Sequence, residues 1–153
     1  MSNPNNEIEQ QLFTLLRRTF AIHVSTASGE YELERSAYGI LCLIDDNGPQ
    51  RLGQIAQAFN LDPSTITRQV QAVVKLGLAD KVGDPSDRRA TLLSLTAEGR
   101  DAVVRARAHR RKMLDLIMSD WSLEERETFA RALRRFNNTV SEWIENDEIP
   151  PPD

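Results

Sequence analysis

The sequence predicts a mainly α protein with one small β-hairpin: a winged helix-turn-helix carrying N- and C-terminal dimerisation helices. Three observations carry this expectation. Apolar residues recur at three- and four-residue spacing over most of the chain. Two short amphipathic helical segments are separated by only a few residues around Asn60 and Leu61, which fits a helix-turn-helix. Directly after them, Leu78 to Val82 and Thr91 to Thr96 alternate apolar and polar residues, the pattern of two strands joined by a charged loop.

Taken in order, Asn3 and Pro4 form an N-cap and first-turn pair. Ile8, Leu12, Leu16 and Phe20 then make a helical stripe that His23 continues. The stretch "TASGEYE" reads as a loop. A second helix in "LERSAYGILCLIDD" turns Leu33, Ala37, Ile40, Leu41 and Ile44 inward and stops at Asn47-Gly48-Pro49. The segment "RLGQIAQAFN" places Leu52, Ile55, Ala56 and Phe59 on one side. In "LDPSTITRQVQAVVKLG", Asp62 is the expected N-cap, Pro63 the first helical residue, and Gly77 the left-handed stop. Ile66, Val70 and Val73 form its inner stripe, which leaves Ser64, Thr65, Arg68, Gln69, Ala72 and Lys75 pointing largely outward.

After the hairpin a long helix is expected from Thr96 to about Ser119. A last helix begins at Ser122, where "SLEE" is a capping box with Glu125 reaching back. Phe129, Leu133, Phe136, Val140 and Trp143 step by four and three, a seam that one small domain cannot cover by itself. The expected division is therefore a helical dimerisation region over 1–30 and 97–148, a winged helix-turn-helix over 31–96, and a flexible proline-rich tail over 149–153.

Composition narrows the function. The chain has 153 residues, 40% hydrophobic and 27% charged, an ordinary composition for a soluble domain with a core of its own. No apolar run is long enough to span a bilayer, the first twenty residues lack a signal-peptide pattern, and a cytoplasmic protein is expected. Cys42, alone, cannot form an intrachain disulfide; set in an apolar run, it reads as a buried, inert thiol. With His23 and His109 it makes a poor metal set, so neither a metal nor a cofactor is expected. No glycine-rich phosphate loop and no flanked nucleophile is present, so no catalytic residues are assigned.

The net charge of −4 does not exclude a nucleic-acid partner, because the placement of positive charge decides. From Glu98 to Lys112 the bases Arg100, Arg105, Arg107, Arg110, Arg111 and Lys112 face only two acids, although a solvated helix face would look the same. A helix entering the major groove presents its N-terminal turns, here Ser64, Thr65, Thr67, Arg68 and Gln69. Hydroxyls bond base edges or phosphates, arginine forks onto guanine and glutamine pairs with adenine. The positive end of the helix dipole at Asp62–Thr65 also favours a nearby phosphate. In the hairpin loop, Arg88 and Arg89 are suited to a narrow minor groove, and Asp87 is placed to pair with a guanidinium and aim it.

The segments "LDPSTITRQVQAVVKLGLADK" and "DPSDRRATLLSLTAEG" together strongly resemble the MarR family of bacterial transcriptional regulators, by motif from about Leu33 to Gly99. The resemblance implies a homodimer with interlocked terminal helices that binds double-stranded DNA at a palindromic operator, as a repressor. It implies Arg89 in the minor groove, Asp87 as its brace, and Arg88 beside it on backbone or groove. It further implies a small, commonly aromatic or phenolic, effector between the dimer helices and the winged region, with His23 and Tyr38 placed to line the pocket. Two readings stay open beside it: a winged-helix protein–protein adaptor without specific DNA readout, and an enzyme or drug-binding sink whose ligand binding is uncoupled from DNA.

Overall fold

The computed structural model describes residues 3–21 and 35–146. Its elements are α1 (Pro4–Ala21), α2 (Arg35–Asn47), β1 (Gln50–Arg51), α3 (Leu52–Phe59), α4 (Pro63–Lys75), β2 (Ala79–Asp84), β3 (Asp87–Leu95), α5 (Ala97–Ile117) and α6 (Leu123–Glu145). The fold is mainly α with a small antiparallel sheet, as expected from the sequence. The chain divides into two compact units, one up to Arg110 and one from Arg111.

The core of the first unit joins Ala37, Ile40, Leu41 and Ile44 of α2 to Ile55 of α3 and to Ile66, Val70 and Val73 of α4. Leu78, Ala79, Leu93 and Leu95 close it from the sheet side. Removing this much branched apolar surface from water is the main force holding the helices to the sheet. Each helix end is set by a specific residue. Gly48 leaves α2 at φ +78° and donates to the Ile44 carbonyl at 2.8 Å. Asn60 takes φ 48° in the turn between α3 and α4, a left-handed conformation that asparagine tolerates. Gly77 takes φ +75° after α4, the left-handed stop read from the sequence.

The sheet departs from the sequence reading in two ways. Its order is β1-β3-β2, with the two-residue β1 pairing through Gln50↔Leu93 and Arg51↔Leu92. Two residues carry no period, which is why β1 is not visible in the sequence. The hairpin strands also run further than Leu78–Val82 and Thr91–Thr96, until Asp84 pairs with Asp87 across the two-residue turn Pro85-Ser86. The charged segment is thus mostly strand, and the two arginines sit on β3 itself.

Thr96 locks the hairpin to α5. Its hydroxyl donates to the Gly77 carbonyl at 2.6 Å and accepts from the Gly99 amide at 3.0 Å, while its own amide donates to the Leu78 carbonyl. Gly99, Ala102, Val103 and Ala106 of α5 are buried, so the winged core continues past residue 97 and takes in the first half of α5. Arg107 adds a clamp, reaching Asp45 and Asp46 at the end of α2 at 2.9 Å each.

In the second unit, Ser122 and Glu125 form the expected capping box at the start of α6. Trp121 meets Phe129 edge to face at 5.7 Å. Arg126 ties α6 to Asp115 at 3.0 Å and to the Met118 carbonyl. No residue of α6 is buried, and Phe129, Leu133, Phe136, Val140 and Trp143 all stand exposed along one seam. Ile8, Phe13 and Leu16 of α1 are exposed in the same way. No helix among the described residues is long and apolar enough to cross a membrane.

Candidate nucleic-acid interface

Two neighbouring pieces of the first unit carry the charge and polarity expected of a DNA contact: the N-terminal half of α4 and the ribbon of β2 and β3. In α4 the burial pattern repeats with the helix. Ile66, Gln69, Val70 and Val73 are buried, whereas Ser64, Thr67, Arg68, Gln71, Ala72 and Lys75 are exposed. Gln69 therefore does not point outward as the sequence reading had it; it is 3% exposed. The reason is geometric: Gln69 lies three residues after Ile66 and four before Val73, on the stripe those residues define. Gln71 takes the outward position in line with Ser64, Thr67 and Arg68. The sequence held the signal, since the phase fixed by Ile66 and Val73 assigns position 69 to the core regardless of its polarity.

The first turn of α4 is organised by Asp62. Its Oδ1 accepts from the Thr65 amide at 2.8 Å and from the Ser64 hydroxyl, and its Oδ2 accepts from the Thr65 hydroxyl at 2.9 Å. The hydrogen bond from Ser64 and those from the Thr65 amide and hydroxyl pull the Asp62 carboxyl down to about 2. Asp62 is thus the N-cap that the sequence predicts, and its carboxylate occupies the helix end that would otherwise favour a phosphate. Thr67 donates to the Pro63 carbonyl at 2.8 Å. All three hydroxyls thus spend their protons on Asp62 or on the helix backbone, and their remaining capacity is to accept, which suits donors such as adenine N6 or cytosine N4. Phosphate oxygens, which only accept, are poor partners for them in this arrangement.

This cap has a pH signature. The native carboxyl sits below its ordinary 3.8, so its stabilising effect is fully present above that value and is lost as pH falls towards about 2. A carbon-detected NMR titration of the aspartates should give Asp62 a midpoint near 2. A midpoint near 4 would mean that the cap is not formed in solution.

In the ribbon, Arg88 and Arg89 are both exposed, on successive positions of β3. Strand alternation sends Arg89 to the face of Thr91 and Leu93, and Arg88 to that of Ala90 and Leu92. Asp87 acts differently from the expectation: its Oδ1 accepts from the backbone amide of Arg89 at 3.0 Å, and no ion pair joins it to a guanidinium among the described residues. It fixes the chain that carries Arg89 and leaves the guanidinium free. A carboxylate the sequence reading missed, Asp84, does the charge pairing. Its Oδ2 accepts from Arg51 Nε at 2.9 Å and Nη2 at 2.6 Å, and its Oδ1 accepts from the Ser86 amide and hydroxyl at 2.9 and 2.7 Å. The Ser86 bonds first, then Arg51, hold this carboxyl at about 2. Nothing in the sequence connects residues 51 and 84.

Arg51, Arg107 and Arg126 each hold a carboxylate. Arg68, Arg88 and Arg89 are exposed and have no ion pair among the described residues.

Of the two residues placed in an effector pocket, His23 lies outside the described residues. Tyr38 is 3% exposed, and its hydroxyl has no hydrogen-bond partner among the described residues. The Arg110 guanidinium lies 4.1 Å from its ring centroid. Burial, reinforced by the neighbouring Cys42, pushes the phenol up to about 12. Cys42 itself is partly exposed. No group of His, Cys, Asp and Glu able to hold a metal occurs among the described residues.

Comparison with known proteins bears on this arrangement. The profile of the MarR family matches residues 33–91, which hold α2 to α4 and the hairpin as far as Thr91. The HTH-type transcriptional regulator YxaD of Bacillus subtilis is 34% identical over 135 residues, covering 88% of this chain and 94% of the relative. The HTH-type transcriptional repressor NicR of Pseudomonas putida is 24% identical over 138 residues, covering 88% and 87%. The crystal structure of RV1404 from Mycobacterium tuberculosis superposes with a TM-score of 0.76 at 28% identity, covering 92% of this chain and 97% of that one.

Proposed function

The chain belongs to the MarR family of DNA-binding transcriptional regulators, and from that premise we propose that it is a homodimeric repressor of a palindromic operator, released by a small aromatic effector. The observation that carries the DNA-contact assignment is placement: Arg68 stands exposed on the outward face of α4, and Arg88 and Arg89 stand exposed on the ribbon that follows it, all three without an ion pair among the described residues. In this reading α4 lies in the major groove, with Ser64, Thr65, Thr67, Arg68 and Gln71 at base edges, and Arg89 enters the flanking minor groove with Arg88 beside it. Gln69 drops out of the contact set.

The dimer is supported by the exposed α6 seam and the exposed apolar residues of α1, both of which need covering. Repression is supported by the likeness to the transcriptional repressor NicR. The effector is supported by Tyr38, a buried phenol with an unanswered hydroxyl and a guanidinium over its ring. A ligand that binds better to the DNA-free arrangement than to the DNA-bound one would release the operator by that difference in affinity.

Selection from a random duplex pool tests the reading. The selected DNA should contain two inverted half-sites about one helical turn apart, and the solution mass should be twice that of the chain. A monomer, or a pool with no repeated half-site, would refute it.

A further inference from the structure

Resting on the DNA-binding reading above, we propose that Arg51 and Asp84 are positioning residues that set the attitude of the β2–β3 ribbon, and with it the aim of Arg88 and Arg89. Arg51 sits on β1 and Asp84 on β2, with β3 between them, so the Arg51 side chain crosses the central strand to reach its partner. Both ends are fixed. The Arg51 backbone pairs with Leu92 on β3 and donates its amide to Gln54 Oε1 at 2.9 Å, at the very start of α3. The Asp84 carboxylate also holds the two-residue turn through Ser86. The pair therefore joins the first helix of the helix-turn-helix to the last residue before the ribbon's tip.

A link is needed at that place. The β2–β3 register breaks between Gly83 and Asp84, where the ribbon is weakest. Beyond Ala90 every β3 residue towards the tip is exposed, and β1 pairs only with Leu92 and Leu93. No apolar packing restrains the outer ribbon, so the ion pair is what restrains its angle. The Asp84 carboxylate is only 8% exposed, which gives the bond to Arg51 more hold than an open surface pair has. A ribbon released from it samples several angles, and affinity falls with the fraction that fits DNA.

The sign of the effect separates positioning from plain electrostatics. Removing the Asp84 charge makes the surface beside DNA more positive, which on charge alone tightens binding. Positioning gives the opposite result. The probe is a fluorescein-labelled duplex recovered from a random pool by the wild-type protein, titrated at several salt concentrations. D84N keeps an oxygen for Ser86 and removes only the ionic bond to Arg51. D84N and R51A should each weaken binding about five-fold, with the double variant no worse than either, and with the salt slope unchanged. Their melting should stay a single cooperative transition well above the temperature of the binding assay, so that the loss is not unfolding. Tighter or unchanged binding in D84N would overturn the proposal. So would an R51A loss that comes with a salt slope flatter by about one unit, since Arg51 would then be a phosphate contact. If R89A leaves binding unchanged, the assignment of the ribbon to DNA falls and this proposal falls with it. If R89A fails to bind while D84N binds normally, only the positioning role is lost.

Discussion

Replacing Arg89 with alanine should remove tight operator binding while leaving the dimer and its melting curve intact. The side chain is exposed on β3 and carries no ion pair among the described residues, so its loss leaves no buried group unsatisfied. A groove-bound arginine contributes about 1–3 kcal/mol. A two-fold dimer presents two of them, so affinity should fall by roughly 30-fold or more. The slope of log affinity against log salt should flatten by about one unit for each wing. Gel shifts with a selected duplex at three or more salt concentrations measure both quantities. Binding equal to the wild type at every salt would show that the ribbon does not touch DNA.

Gly99→Ala should be the most damaging small substitution in the winged unit. A Cβ at residue 99 would lie 1.9 Å from the Leu78 carbonyl oxygen and 2.9 Å from its carbon. These are backbone atoms and cannot rotate aside. Ordinary contact begins at 3.4 Å, so α5 and the Leu78 backbone, just before β2, must part by roughly 1.5 Å. That movement pulls on the Thr96 hydroxyl, which holds Gly77 and Gly99 at once, and on the buried Val103 and Ala106 beyond. Overpacking of this kind typically costs about 3 kcal/mol at the severe end. Urea denaturation should show the midpoint falling with the slope preserved. A variant with the wild-type midpoint would mean that α5 is not seated on Leu78 in solution.

Much of this architecture is legible in the sequence because it is local. Asp62-Pro63 and Gly77 bracket α4, Ser122 and Glu125 open α6, and the apolar phases of α2 and α4 select their buried faces. The ribbon is legible as an alternation, although its length is not, because Gly83, Asp84 and Asp87 do not alternate in polarity. Gln69 shows the limit of reading polarity before phase: an amide on the Ile66–Val73 stripe is buried because the helix puts it there. Arg51 and Asp84 show a different limit. Their bond depends on a two-residue strand and on a sheet order in which neighbours in space are 33 positions apart in the chain. Such contacts belong to topology and carry no local mark.

The carboxylate of Asp62 at the head of α4 has a consequence for how DNA sequences are told apart. A phosphate drifting against that helix end meets an ionised acid in the position where a bare helix would attract it. In the proposed binding mode, loose, sequence-blind encounters at this point would be weakened, whereas a duplex offering amino groups to Thr65 and Thr67 and a guanine to Arg68 would keep its contacts. Discrimination is a difference between two affinities, and lowering the wrong one widens it as surely as raising the right one. If α4 reads DNA as proposed, the acid that caps it would also sharpen selectivity.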